Sequence, residues 1–383
     1  MIKNIPKNKD VAVFTVGRYF SYLLIGIRGI LVAKYLGPFY LGIFGFLMLV
    51  YRYLTYTNLG VSFGVNTKLA LSLKATNEEQ QKIINSSFTI LTFVVIFWGI
   101  IWVAYFFSNI DIPIFNKYNF RQYSFLIYIF TALVLSSQLF ANIYRAYGLL
   151  NRIVTGEIII AILTLSVIPF YKGEILVKAL LFTLILSQII ANIIFIVRAP
   201  FKISFTIDKR SIISLLKIGI PLLIINVSFY LILVFSRSVV SVYYSVKAMG
   251  YYSLAVSLTS AAMLGLGAIT WVYYPGLLSK FKVHEFDTQK LSNLIKKITK
   301  FYTLTVSIII IVVISIIPLL FLFLKQYSSV QNTLNILLLS QIIISLSFTP
   351  NTFLIARNKQ IKLALISIIP TAIVLILSLS AAI

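Results

Sequence analysis

The chain has no cysteine, a single histidine, His284, and only 9 acidic residues in 383. Without cysteine there is no disulfide framework and no thiolate metal site. One histidine and so few carboxylates give no clustered set of metal ligands. No His-Glu-x-x-His, nucleophile elbow, phosphate-binding loop or Asp-rich motif occurs either. The sequence therefore predicts no enzyme, no metal and no cofactor, and excludes an ATP-driven pump in this chain alone. His284 lies in the basic stretch KFKVHEFD and reads as a solvated side chain.

Charge as a whole is scarce. Only 11% of residues are charged and 60% are hydrophobic, with mean hydropathy +0.99. Soluble domains run to about half apolar and about a quarter charged. A soluble fold of this length has too little interior for so much apolar surface, so the solvent must be the bilayer. Runs such as TLTVSIIIIVVISIIPLLFLFL from Thr303 are continuous over about 20 residues, the length of a spanning helix, and lack the alternation of a barrel strand. Eleven such segments are predicted: 12–36, 39–64, 84–107, 122–144, 153–171, 175–197, 213–243, 249–275, 301–324, 333–355 and 361–383. The fold class expected is an all-α integral membrane protein with about 11 transmembrane helices. The N-terminal tail MIKNIPKNKD has no small-residue cleavage site, so no signal peptide is expected.

Orientation follows from where the basic residues fall. Of 33 lysines and arginines, 22 sit on the side of the N-terminus, 7 on the opposite side and four inside spans. By the positive-inside rule the N-terminus is cytoplasmic. This bias accounts for the net charge of +24 and removes nucleic acid as a partner.

The chain also repeats itself. KYLGPFYLGIFGF resembles SVKAMGYYSLAVSL, pairing Gly42 with Gly250 at an offset of 208; NIYRAYGLLNR from Asn142 resembles NTFLIARNKQ from Asn351 at 209. Six helices separate the copies, an even number, so both point the same way: a parallel repeat. The expected organisation is a first bundle at 1–200 (spans 1–6), a cytoplasmic linker at 201–212 and a second bundle at 213–383 (spans 7–11) without a sixth helix.

Four cations lie within spans: Arg18 and Arg28 in span 1, Arg52 in span 2 and Arg237 in span 7. Each costs on the order of 3 kcal/mol near a helix centre. Glu157, near the cytoplasmic end of span 5, is the one acidic residue within a span, so the four cannot pair off internally. Arg28 and Arg237, in repeat-related spans, are expected to face each other across a central cleft. An anionic substrate would then supply the missing charge, which suits the planar guanidinium fork; the alternative for Arg28, Arg52 and Arg237 is bonding to backbone carbonyls, or helix ends that lie elsewhere than hydropathy places them. Arg18 is shallow enough to snorkel to headgroups and is the weaker choice. Glu157 reads as interfacial, as a proton relay or as an arginine's partner. Gln138 with Asn142, and Gln188 with Asn192, form i,i+4 pairs in a shared Ser-Gln-x-x-Ala-Asn-Ile motif. They suit interhelical hydrogen bonds, with sugar contacts in a polar cavity as the alternative. Pro221, Pro318, Pro350 and Pro370 should kink or break their helices.

The string Ala33-Lys34-Tyr35-Leu36-Gly37-Pro38, followed by Leu41-Gly42, resembles the polysaccharide (O-antigen-type) flippase family of the multidrug/oligosaccharidyl-lipid/polysaccharide exporter superfamily. That family typically has Arg where Lys34 stands and Tyr where Leu41 stands. Asn58-Leu59-Gly60 and Arg145-Ala146-Tyr147-Gly148 resemble two further family segments. The resemblance implies two six-helix bundles around a central cavity, and movement of an undecaprenyl-pyrophosphate-linked oligosaccharide from the inner to the outer leaflet by alternating access. It implies a bacterial inner membrane, a part in surface polysaccharide or lipopolysaccharide biosynthesis, and as partners the lipid-linked oligosaccharide, membrane lipids and other polysaccharide-assembly proteins. Eleven helices depart from the family's twelve or fourteen. The rival readings are a drug or peptidoglycan-precursor lipid exporter, a membrane-embedded polysaccharide polymerase or ligase, and a structural subunit. The longest outer connection, 108–121, is short for an outer catalytic loop.

Overall fold

A computed structural model describes residues 8–71, 76–108, 110–283, 288–357 and 359–380. His284 lies outside them. Among the described residues there is helix and no strand. The helices are α1 (Asn8–Thr55), α2 (Val61–Leu71), α3 (Asn77–Phe107), α4 (Pro113–Lys117), α5 (Phe120–Ala146), α6 (Leu150–Ser166), α7 (Gly173–Val197), α8 (Lys209–Tyr243), α9 (Val246–Val283), α10 (Thr288–Phe323), α11 (Gln331–Ala356) and α12 (Gln360–Ser380). Short 3-10 turns lie at Ile168–Phe170 and Lys325–Val330. Eight of the described helices are long and apolar enough to cross a membrane. Seven of the eleven predicted segments fall wholly within one helix, while 39–64 runs across a break into α2, 153–171 and 301–324 run past the ends of α6 and α10, and 361–383 extends beyond the described residues.

Spans 1 and 2 meet without a loop. Gly37 (φ 68°, ψ 170°) and Pro38 interrupt α1 between them. Glycine tolerates that positive φ, and the following proline bars its neighbour from helical backbone. The chain doubles back there. Residues 18 and 28 meet 157 and 164 of α6, so the first part of α1 runs parallel to α6. Phe46 and Tyr51 meet Tyr118 and Phe130, so the second part runs parallel to α5, which is antiparallel to α6. The end of the bundle holding residue 8 is called the N-terminal face below, and the end holding Gly37 the far face.

Span 2 ends earlier than hydropathy predicts. Leu59 (φ 53°) and Gly60 (φ 74°) break it, while Asn58 Oδ1 accepts the Gly60 N–H at 2.9 Å. The helix then resumes as α2. The 108–121 connection contains the short helix α4. Pro221, Pro318, Pro350 and Pro370 each lie inside an unbroken helix. None of the four therefore breaks its helix.

The stretch 201–208 is strapped to α3. The backbone N–H groups of Lys202, Ser204 and Thr206 donate to Gln81 Oε1, Asn85 Oδ1 and Thr89 Oγ1 at 3.3, 3.2 and 3.1 Å. An extended chain repeating every two residues matches a helix face repeating every four. α8 then starts at Lys209, inside the expected linker, because Asp208 caps it by accepting the Ser211 N–H at 3.2 Å.

The core is arranged unevenly between the faces. One hydrophobic cluster near the far face draws on both repeats, including Leu36, Phe46, Tyr118, Met249, Phe321 and Tyr327. Towards the N-terminal face the clusters are separate. One gathers Phe14, Ile84, Tyr144 and Phe201 with Leu215, another Ile225 and Leu363, and a third Phe281, Leu291 and Ala356.

Candidate functional site

The repeat is visible as contacts. A Cβ at Gly42 would run into the Val246 carbonyl, and one at Gly250 into the Pro38 carbonyl. Positions 42 and 250, and 38 and 246, are each 208 apart, so the α1–α9 crossing is a reciprocal contact about a local twofold axis. Gly45 and Ser253, also 208 apart, touch beside it. Only glycine allows backbones this close.

Arg237 lies at this crossing. Its Nη2 donates to Gly45 O at 2.9 Å and to Ser253 Oγ at 3.1 Å, joining α8 to both crossing helices. Its Nε is buried without a hydrogen-bond partner. Arg52, at the end of α1, is close enough to feel the Arg237 charge, and its own side chain is exposed. Tyr51, Tyr56 and Tyr230 surround it. Tyr56 and Tyr230 bring their rings to 4.6 Å from opposite repeats. The Tyr53 hydroxyl bonds Ser238 Oγ at 2.6 Å, and Tyr252 bonds Ser236. Two guanidinium groups thus share a hydroxyl-rich space between the repeats. Among the described residues, no carboxylate pairs with either.

The expected pairing of Arg28 with Arg237 is not what the structure shows. Arg28 Nη1 donates to Thr164 Oγ1 of α6 at 3.1 Å, within the first bundle. The offset explains this. Arg28 corresponds to Ser236 and Arg237 to Gly29, and one residue turns a helical side chain by about 100°. At Gly29 a Cβ would meet nothing within 4 Å. Arg28 has no carboxylate partner either.

Arg18 does not simply snorkel. Its Nη2 lies 3.4 Å from Glu157 Oε1, with both side chains largely buried, and its guanidinium stands over the Phe14 and Tyr22 rings at 5.2 and 5.6 Å. Glu157 is accordingly an arginine's partner. Gln188 and Asn192 serve helix packing. Ser137 Oγ donates to Gln188 Oε1 at 2.7 Å, and Asn192 Nδ2 donates to Ser137 Oγ and Leu133 O at 2.8 and 3.0 Å. Asn142 Nδ2 turns back to the Gln138 carbonyl at 2.8 Å. Sequence reasoning missed the tyrosines at 51, 53, 56, 230 and 252, although their concentration on either side of the arginines was visible.

Among the described residues, no three His, Asp or Glu side chains cluster as a metal site. A bundle of long apolar helices, built from two repeats with cations between them, defines a multi-pass membrane protein of two-lobed architecture. Solved structures share the fold over nearly the whole chain. An inward-facing multidrug resistance MATE family transporter of the MOP superfamily matches 93% of this chain and 87% of its own at 15% identity and TM-score 0.66. Its outward-facing counterpart matches 94% and 83% at 15% and 0.62, and a MATE structure in the straight conformation 94% and 84% at 15% and 0.64. The polysaccharide biosynthesis protein family model matches residues 31–313, and the chain belongs to that family. No curated protein matches it.

Proposed function

We propose that the protein is a flippase that moves an undecaprenyl-pyrophosphate-linked oligosaccharide across the bacterial inner membrane, with its N-terminus in the cytoplasm. The observation that carries this reading is the pair Arg52 and Arg237, set between the repeats with no carboxylate to neutralise them. Arg237 is half-buried with an unpartnered Nε and Arg52 stands exposed beside it, and a pyrophosphate offers the two guanidinium groups bidentate, doubly charged pairing. The tyrosines and serines around the arginines suit sugar, since aromatic faces cover C–H surfaces while hydroxyls hydrogen-bond. Membership of the polysaccharide biosynthesis family supports a glycan cargo. Two bundles, 1–200 and 213–383, would move against each other, without catalysis and with other polysaccharide-assembly proteins as partners.

The MATE-like fold raises the alternative of drug export. A cationic drug would need an available carboxylate, and Glu157 is occupied by Arg18. That favours an anionic cargo.

Translocation into proteoliposomes tests the reading. With lipid-linked oligosaccharide loaded in one leaflet, wild type should expose it on the other, Arg52→Gln should be at least tenfold slower, and Arg52→Lys should recover much of the rate. Equal rates for wild type and Arg52→Gln would overturn the proposal.

A further inference from the structure

At the far face each repeat reaches across to the other in the same way. Tyr118, just after α4, donates its hydroxyl to Ser241 O of α8 at 3.0 Å. Tyr327, in the 3-10 turn before α11, donates to Ala33 O of α1 at 2.9 Å. Both tyrosines are 0% exposed. The donors are 209 residues apart and the acceptors 208, so these bonds are images of one another under the repeat.

The residue before each tyrosine repeats the pattern. Lys117 Nζ donates to the Ser241, Val242 and Tyr244 carbonyls at 2.9, 3.0 and 2.5 Å. Gln326 Nε2 donates to Lys34 O at 3.4 Å. Lys117 and Gln326 are again 209 apart, and Lys34 and Val242 are 208 apart.

The acceptors have a physical reason to be available. Ser241 to Tyr244 form the last turn of α8, where carbonyls lack intrahelical donors and the helix dipole favours a cation. Lys34 O would ordinarily bond the N–H four residues on, but that residue is Pro38, which has none. The Ala33 carbonyl, one residue earlier, has a second lone pair with which to accept the Tyr327 hydroxyl. Each repeat's first helix therefore ends in carbonyls that the other repeat satisfies.

We propose that these reciprocal contacts are the far-face gate: two latches, Tyr118 with Lys117 on α8 and Tyr327 with Gln326 on α1, that must release together for the repeats to part there. The shared hydrophobic cluster lies beneath them, where Phe46 stacks on Tyr118 at 4.2 Å and Tyr251 meets Tyr327 edge-on at 5.8 Å. The latches are unequal. A charged ammonium shared by three carbonyls holds more strongly than one long amide contact. The α8 latch therefore sets the threshold for opening, and the α1 latch is first to loosen. This inference stands apart from the cargo assignment, since its test needs no substrate.

Because the chain has no cysteine, two can be introduced cleanly for spin labelling. Lys172 and Lys247 are exposed on the far face, one in each repeat. In the full-length protein in nanodiscs, double electron–electron resonance between Lys172→Cys and Lys247→Cys should give mainly one short distance. Tyr118→Phe or Tyr327→Phe keeps the buried ring and removes the hydroxyl. Each should raise the open-to-closed ratio about fivefold, and both together about 25-fold. Lys117→Gln should favour opening more than either phenylalanine, and Gln326→Lys should oppose it. A distance distribution unchanged in the double phenylalanine variant, or closure unaffected by Lys117→Gln, would overturn the proposal.

Discussion

At the residue scale, the intramembrane charges divide into two kinds. Arg18 is matched by Glu157 within the first bundle, whereas Arg28, Arg52 and Arg237 are matched only by hydroxyls and carbonyls. The two kinds should respond differently to substitution. Glu157→Gln leaves a largely buried guanidinium uncompensated and should destabilise by about 2 kcal/mol, below the value for a fully buried pair because some solvent reaches both ends. Arg18→Gln should cost a similar amount, and the double variant less than the sum. Thermal melting in detergent measures all three, and full additivity would mean the pair does not interact. Reading the sequence found every one of these charges but mispaired two. Arg28 and Arg237 sit at similar depth, yet the 208-residue offset puts them one position out of register. Depth is legible from hydropathy, but azimuth needs the register of the repeat. Arg18 and Glu157 were separable only by knowing that span 1 runs beside span 5.

At the element scale, the α1–α9 crossing is a close, reciprocal contact between the repeats. Gly42→Ala should cost about 1–3 kcal/mol, because the methyl group meets a carbonyl that cannot move away cheaply. Gly250→Ala should match it from the other side of the axis. A chemical denaturation series would show the match, and an asymmetric pair of values would contradict the reciprocal contact. The start of α8 carries a separate expectation. Hydrogen bonds from Ser211 hold the Asp208 carboxyl below its usual range. A carboxylate with a depressed folded pKa stabilises fully above its unfolded value and loses that contribution as pH falls through the folded one. Exchange of the Ser211 amide should therefore accelerate on acidification below the usual Asp range, and Asp208→Asn should remove that pH dependence. These local devices were partly legible: the helices, the Gly37-Pro38 turn and the repeat came from pattern. The strap of 201–208 on α3 did not, although Gln81, Asn85 and Thr89 at four-residue spacing were its signature. A polar stripe on a helix announces a partner without saying which one.

At the scale of the whole molecule, the two repeats share one core at the far face, while towards the N-terminal face the core divides into smaller clusters and the repeats still meet where α2 packs on α8, Gly60 against Gly219 and Gly64 against Leu215. The fold matches both inward- and outward-facing MATE structures at similar TM-scores, 0.66 and 0.62, so the likeness itself favours neither state. That the chain folds as long apolar helices followed from composition, because a bilayer leaves few alternatives for so apolar a chain. What lies between the repeats did not, since contacts made across about 200 residues depend on the exact register of two helices.

The most direct test of the central claim is equilibrium binding of undecaprenyl pyrophosphate to the purified protein in nanodiscs, set against uncharged undecaprenol. The pyrophosphate lipid should bind at least tenfold more tightly, and Arg52→Gln should erase most of that preference while Arg52→Lys retains it. Equal binding of the two lipids by the wild-type protein would contradict the account.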